Sequence, residues 1–429
     1  MEVRRRPAAD ALKDWALSHR FAGARDRSEI GDIVFSALRY QASSSWRMGS
    51  DGPRARVLGA LRWGFGFDPV RIEQDAYEAP HGYSPPTEAE RAALAGGALD
   101  GAPHWVRGDY PEWLDGALAD VFGDARAGEG AALAVPAPLD LRVNRLKADR
   151  DGVRGELNVS TQLKAGAGAG PGAVPAFRNT ALSPDGLRLD WQRGRTFPWA
   201  KEAAFVKGWF EVQDEGSQLA ALMACAKPGQ QVADVCAGGG GKALALAAMM
   251  QGRGQVHAHD VDSRRLANAH ERVERAGARN IQLLAPRRDS DVLAPLSGAM
   301  DVVFVDAPCT GSGTWRRAPD SKWRLRPGAL DKRLLEQQAA LDLAAPLVKP
   351  GGRLVYVTCS VLPQENAGAV ARFCARVAGF VPLDPVAVAQ EAGLDGLQDR
   401  ALRAGPGLQM TPARTGTDGF FVTVLQRQA

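Results

Sequence analysis

From about residue 206 to the C-terminus, short apolar runs alternate with helical stretches, and few folds accommodate that rhythm. "QVADVCA" reads as a buried strand and is followed by "GGGG" and an alanine-rich helix. "QVHAHDVD" is a second strand, and "SRRLANAHERVERAG" is a helix that should stop at Gly277. "NIQLLA" and "DVVFVDA" supply a third and a fourth strand. The helix "GALDKRLLEQQAALDLAAPLV" precedes a fifth, "RLVYVTCS", and "DGFFVTVLQR" closes the chain as a last strand. Strands that alternate with helices predict an α/β domain with a mostly parallel sheet covered by helices. Ligands of such sheets bind at the carboxyl ends of the strands.

The first 205 residues follow other patterns. Up to about residue 128 the chain reads as helical. Ile30, Ile33, Val34, Ala37 and Leu38 fall on one helical face, with Asp26 as a cap and Glu29 completing a capping box. Val57, Leu58 and Leu61 form a second short face. Near residue 130 the pattern changes, and the alternation of Leu139, Leu141 and Val143 predicts a strand. The Gly/Ala/Pro-rich "AGAGAGPGAVPA", from Ala165, predicts a loop or linker. The expected organisation is a helical region 1–128, a small α/β segment 129–205 and an α/β domain 206–429. A chain of 429 residues exceeds one ordinary domain, in keeping with that division.

Composition narrows the class. A net charge of +4 is compatible with a nucleic-acid partner without specifying one. Five cysteines without close CxxC pairs argue against a disulfide framework or a structural zinc site, and predict a reducing compartment. The N-terminal "MEVRRRPAADALKDW" lacks the apolar core of a signal peptide, and no apolar run approaches the roughly 20 residues needed to span a bilayer. The expectation is a cytoplasmic protein, monomeric, without a metal.

"DVCAGGGGKA" lies at a strand-to-helix turn. Glycines there let the backbone take positive φ and approach a ligand closely. Asp260, about 20 residues later, ends the next strand, where a carboxylate can accept hydrogen bonds from a ribose. These features fit any adenosine-containing cofactor. A P-loop is excluded, because Cys236 and Ala243 stand where GxxxxGK[ST] needs Gly and Ser or Thr. A nicotinamide-dependent dehydrogenase fits the loop and Asp260, but leaves two further residues unexplained.

Those residues are Cys309 and Cys359, each just past the carboxyl end of a strand. Cys225 and Cys374 read as small core residues. Asp306 precedes Cys309 by three positions. A carboxylate disfavours a nearby thiolate, so Asp306 suggests another task, such as holding a substrate base. One chemistry wants a thiolate beside an adenosine cofactor. Carbon 5 of cytosine is a poor nucleophile until a thiolate adds to carbon 6, after which carbon 5 can attack an electrophilic methyl group. A second thiol can then assist release.

"DVCAGGGGK", "VDAPCTGSGTWRRAPD", "YVTCSVLPQEN" and "TDGFFVTVLQR" occur in the order of a known family. Residues 206–429 resemble the bacterial Sun/RsmB-type RNA cytosine-5 methyltransferases, and "EVQDEGSQLAALMA" resembles the family's entry motif. "PEWLDGALADVFG" and "PLDLRVNRLK" resemble its RNA-binding segment, and "DRSEIGDIVFSALR" resembles a NusB-like helical domain.

The resemblance implies a Rossmann-like, S-adenosylmethionine-dependent enzyme that makes 5-methylcytosine in RNA, with ribosomal RNA as the expected partner. It assigns Cys359 as nucleophile, Cys309 to product release, and Asp306 to the target cytosine, near the cofactor. Lys242 would point at the reacting centre and lower a thiol pKa. The expected cofactor residues are Cys236, Ala237, Gly238, Gly239, Gly240, Gly241, Lys242, Asp260, Arg265, Asp289 (or Asp291) and Asp306. The family's Ala-Pro-Gly-Gly-Lys is altered, with Gly238 and Gly239 in place of Ala-Pro, which predicts a less rigid loop. Ala243 replaces the usual Thr.

The basic aromatic stretch after Cys309 is expected to bind RNA through Trp315, Arg316, Arg317, Lys322 and Arg324, by phosphate contacts and base stacking. The competing expectation packs Trp323 in the core and leaves the arginines solvated or paired with Asp320. Three other functions compete: a transfer-RNA methyltransferase, a DNA methyltransferase attacking through Cys309, and a ribosome-assembly factor that mainly binds RNA.

Overall fold

Parallel strands need long crossovers and apolar residues on both faces, and residues 231–358 supply both. In the computed structural model, residues 6–78, 82–165 and 176–429 are described. The Gly/Ala/Pro-rich stretch expected to be a loop lies, from 166 to 175, outside the described residues. The chain divides into two units, Met1–Pro136 with Thr314–Arg326, and Ala137–Gly313 with Pro327–Ala429. The first division thus falls after helix Arg126–Ala134, which runs through position 128, and the small α/β segment shares a unit with the large sheet.

The first unit is helical. Helix Ala24–Arg39 starts one turn earlier than its sequence suggests: Gly23 is the N-cap, and Asp26 serves as the third residue, its carboxylate accepting the Gly23 N–H at 2.8 Å. Glu29 pairs with Arg25 instead of completing a capping box. Leu58 is buried with Met48, Ala55, Ile72 and Leu94, whereas Val57 is exposed.

Thr314–Arg326 belongs to this helical unit, and three of the five side chains expected to bind RNA are buried. Trp315 (1% exposed), Arg316 (4%) and Lys322 (1%) are buried. The Lys322 ammonium donates to the backbone carbonyls of Arg39 at 2.8 Å and Asp109 at 2.5 Å. Burial lowers its pKa to about 8, opposed by the Asp109 carboxylate. Trp323 Nε1 donates to Leu38 O at 2.6 Å, and Arg324 pairs with Asp320 at 2.9 Å. Of the five residues, only Arg317 is well exposed. The physical reason is that long cationic side chains bury their stems readily once backbone carbonyls satisfy the charged end.

The second unit holds two sheets. Strands β1 (Leu139–Val143), β2 (Arg178–Asn179), β3 (Gly186–Leu189) and β4 (Phe210–Val212) form a small antiparallel sheet in the order β2-β3-β1-β4. The large sheet contains β5 (Gln231–Asp234), β6 (Gln255–His259), β7 (Ile281–Leu284), β8 (Met300–Asp306), β9 (Val348–Thr358), β10 (Phe380–Pro382), β11 (Leu402–Ala404), β12 (Gly407–Met410) and β13 (Phe420–Arg427). Its order is β11-β12-β13-β9-β8-β5-β6-β7, with β10 paired to β13.

The run β9-β8-β5-β6-β7 is parallel, and β10 to β13 add an antiparallel edge. Val232, Phe304, Val355 and Val357 face one apolar layer, while Ala233, Val303, Val305 and Leu354 face the other. Each fully buried Val, Leu or Phe side chain contributes about 1.5–3 kcal/mol. From β5 the chain winds outward through β6 and β7, then returns to β8 and β9 on the opposite side. The order therefore reverses between β5 and β8, and a crevice opens at their carboxyl ends.

Candidate active site

Three aspartates stand at the carboxyl ends of strands around that reversal: Asp234 on β5, Asp260 just after β6 and Asp306 on β8. Asp234 is fully buried. Burial first, then the neighbouring Asp306 charge, pushes its carboxyl up to about 7. Asp306 receives the Lys242 ammonium at 2.6 Å. Lys242 occupies the first turn of helix Gly241–Met249, so the pair ties the glycine turn to β8. The ammonium is thus bound to Asp306 rather than to a thiol, which differs from the expected thiol-activating role.

The glycine turn is held at several points. Gly238 (φ +51°) and Gly240 (φ +79°) lie in the left-handed region. Asp260 accepts the Gly238 N–H at 2.8 Å on one oxygen and the Asp262 N–H at 2.9 Å on the other. Arg272 donates to Gly239 O and Arg142 to Gly241 O, both at 2.7 Å. Glu211 holds Arg272 at 2.9 Å and Arg275 at 2.5 Å. These tethers offset the freedom that Gly238 and Gly239 introduce. Burial lowers the Arg142 pKa to about 10, still a cation at neutral pH.

The other expected cofactor residues vary in their surroundings. Ala237 N–H donates to His259 O at 2.9 Å. The Cys236 thiol is pushed up by burial and by Asp234. Arg265 is mostly exposed, 3.7 Å from Asp260. Asp289 lies exposed on the loop after β7, and Asp291 accepts the Leu293 N–H at 2.9 Å.

The two cysteines meet. Cys309 Sγ and Cys359 Sγ are 3.2 Å apart, both thiols are free, and both are partly exposed. Their loops are locked together behind them. Gly313 N–H donates to Cys359 O at 3.0 Å, and Gly419 N–H donates to Gly313 O at 2.8 Å. A Cβ on Gly313 would sit 1.9 Å from Gly419 O, so only glycine fits. Ser312 and Ser360 hydroxyls meet at 2.9 Å.

Sequence reasoning missed the residue at the centre of this lock. Glu365 is fully buried and accepts hydrogen bonds from Thr310 N (2.8 Å), the Thr310 hydroxyl, the Ser360 hydroxyl and Gln337 Nε2 (3.0 Å). Thr310 follows Cys309 and Ser360 follows Cys359, so one carboxylate braces both thiol loops. Its only sequence signal is its place in "YVTCSVLPQEN". The tethers Arg142, Arg272 and Glu211 lie in quoted stretches, but nothing in the sequence marked them as holding the glycine turn. Among the described residues, no cluster of three or more His, Cys, Asp or Glu is arranged to hold a metal, and no helix is long and apolar enough to cross a membrane.

The reversed strand order, the glycine turn and the acid after β6, with antiparallel β13 beside β9, define a Rossmann-like fold suited to an adenosine-containing cofactor. A methyltransferase homologue from Pyrococcus horikoshii has the same architecture, with a TM-score of 0.57 and 25% identity over 76% of this chain and 97% of that one. A family profile described as 16S rRNA methyltransferase RsmB/F matches residues 221–426. The ribosomal RNA small subunit methyltransferase B of Thermus thermophilus is 31% identical over 100% of this chain and 95% of its own length. The chain belongs to that RsmB/F family. The probable ribosomal RNA small subunit methyltransferase B of Synechocystis is 34% identical over 62% of this chain, and the match spans 56% of that relative's length.

Proposed function

We propose that the protein methylates carbon 5 of a cytosine in small-subunit ribosomal RNA, through a covalent adduct between Cys359 and carbon 6. The 3.2 Å approach of the two thiols carries this reading, since a methyltransferase that only positions its substrate needs neither. The residues present suit S-adenosylmethionine. Four glycines leave the turn without side chains, a helix N-terminus follows, and the Asp260 carboxylate after β6 is the acceptor that ribose hydroxyls would use. When bound, S-adenosylmethionine supplies the methyl group that carbon 5 takes up, and leaves as S-adenosylhomocysteine.

The chain's own residues do the rest. The Cys359 thiolate forms the bond to carbon 6, and the π pair of the carbon 5–carbon 6 bond becomes available at carbon 5. The Asp306 carboxylate accepts from the cytosine amino group, its rotamer fixed by Lys242. After methylation the carbon 5 proton leaves to water, the carbon–sulfur bond breaks and its pair returns to Cys359. The Cys309 S–H donates a hydrogen bond to the departing sulfur. The target base must be single-stranded or turned out of its stack to reach the thiol.

The test is a denaturing gel of protein incubated with S-adenosylmethionine and RNA. Cys309→Ala should accumulate a covalent protein–RNA complex, and Cys359→Ala should form none. A complex formed by Cys359→Ala would overturn the assignment and favour attack by Cys309.

A further inference from the structure

Two thiols in contact raise the question of what decides which one attacks. We propose that Glu365 is the positioning residue that assigns their roles: its buried carboxylate braces both loops and keeps Cys309 as a hydrogen-bond-donating thiol, so that the thiolate resides on Cys359. The proposal rests on the covalent mechanism above and deepens it.

The geometry is asymmetric. Glu365 contacts the Cys309 side through both the N–H and the hydroxyl of Thr310, and the Cys359 side through the Ser360 hydroxyl alone. Its donors, from Thr310, Ser360 and Gln337, are all neutral, so among the described residues no cation is hydrogen-bonded to the carboxylate. Gln337, fully buried, donates both to Glu365 at 3.0 Å and to Pro308 O at 3.0 Å, which fixes the approach to Cys309 from a third element. Tyr356, on β9, donates its hydroxyl to Glu365 O at 2.7 Å and orients the backbone of the brace.

The groups acting on Cys309 are Cys359, Glu365 and the Gly311 N–H. The first two, with burial, push the Cys309 thiol well up, and only the N–H opposes them. A thiol held protonated 3.2 Å from a second sulfur is a donor to that sulfur's thiolate.

Alkylation by iodoacetamide, read at each cysteine by peptide mass between pH 6 and 9, tests this without any RNA. In the unmodified protein Cys359 should react at least about tenfold faster than Cys309, because the thiolate is the reactive form. Glu365→Gln should raise Cys309 alkylation at least about tenfold and shift its pH profile downward. Gln337→Leu leaves the carboxylate with one donor fewer and should instead slow Cys309 alkylation about threefold or more. Simple loosening of the loops would raise Cys309 reactivity in both variants, so opposite signs separate charge from structure. Should Glu365→Gln fail to fold, the Gln337→Leu result stands alone. Wild-type selectivity in a folded Glu365→Gln, or faster Cys309 alkylation in Gln337→Leu, overturns the proposal. A protein that shows the selectivity yet methylates no RNA would refute the proposed function and leave the role of Glu365 intact.

Discussion

The Lys242 ammonium lies 2.6 Å from the Asp306 carboxylate and so joins the helix after the glycine turn to the end of β8. Lys242 is nearly buried, and about a third of the Asp306 side chain is exposed. Lys242→Met should lower methyl transfer by about 100-fold or more, since the carboxylate loses its fixed orientation. The stability cost should be only about 1–2 kcal/mol, because solvent screens the orphaned charge. Single-turnover methyl transfer and urea unfolding check the two effects separately.

Asp234 makes stability depend on pH in a definite direction. Its folded value of about 7 lies above the ordinary carboxyl value of 3.8, so the folded state holds this proton more tightly than the unfolded chain. The resulting stabilisation is present below about pH 4 and is lost as pH rises through about 7. Asp234→Asn removes that loss. The unfolding midpoint of the variant, relative to the unmodified protein, should rise between pH 4 and 8 by the equivalent of about 4 kcal/mol. A constant difference across that range would contradict the assignment.

The glycines of the turn should not be equivalent. Gly240 has positive φ, and a Cβ there would lie 3.0 Å from the Ala269 Cβ, whereas Gly239 has an ordinary φ and would meet only the end of Arg272. Gly240→Ala should cost about 1–2 kcal/mol and weaken S-adenosylmethionine binding, while Gly239→Ala should be nearly neutral. Calorimetric titration of the cofactor against both variants measures the contrast.

Lys322 should matter to the helical unit and not to phosphate contacts. Lys322→Met leaves two backbone carbonyls without their donor and Asp109 without its counter-charge, at a cost of about 2–4 kcal/mol. Where the variant remains folded, the dependence of RNA affinity on salt should keep its slope, since no phosphate contact is lost. A slope reduced by about one would return Lys322 to the RNA-binding surface.

What the sequence revealed follows from local rules. Gly277 ends its helix in the left-handed conformation, as glycine at that position predicts. Cys309 and Cys359 were legible as a pair because each follows an apolar run, and parallel strands bring such ends to one edge. Glu365 was not legible, because a carboxylate in a polar motif shows nothing of the four donors that folding gathers around it. The fate of Lys322 and Trp323 depended on tertiary partners hundreds of positions away, Arg39, Asp109 and Leu38. The antiparallel strands β10 to β12 are three or four residues long, too short for periodicity to mark.

The most direct measurement uses methyl-labelled S-adenosylmethionine and RNA from cells lacking the protein, as free ribosomal RNA, partly built small subunits and transfer RNA. The account predicts label in 5-methylcytidine of the small-subunit ribosomal RNA, lost in Cys359→Ala. Label confined to transfer RNA would contradict the proposed substrate. No label in any fraction, with cofactor binding intact, would contradict the proposed reaction and favour an RNA-binding role in ribosome assembly.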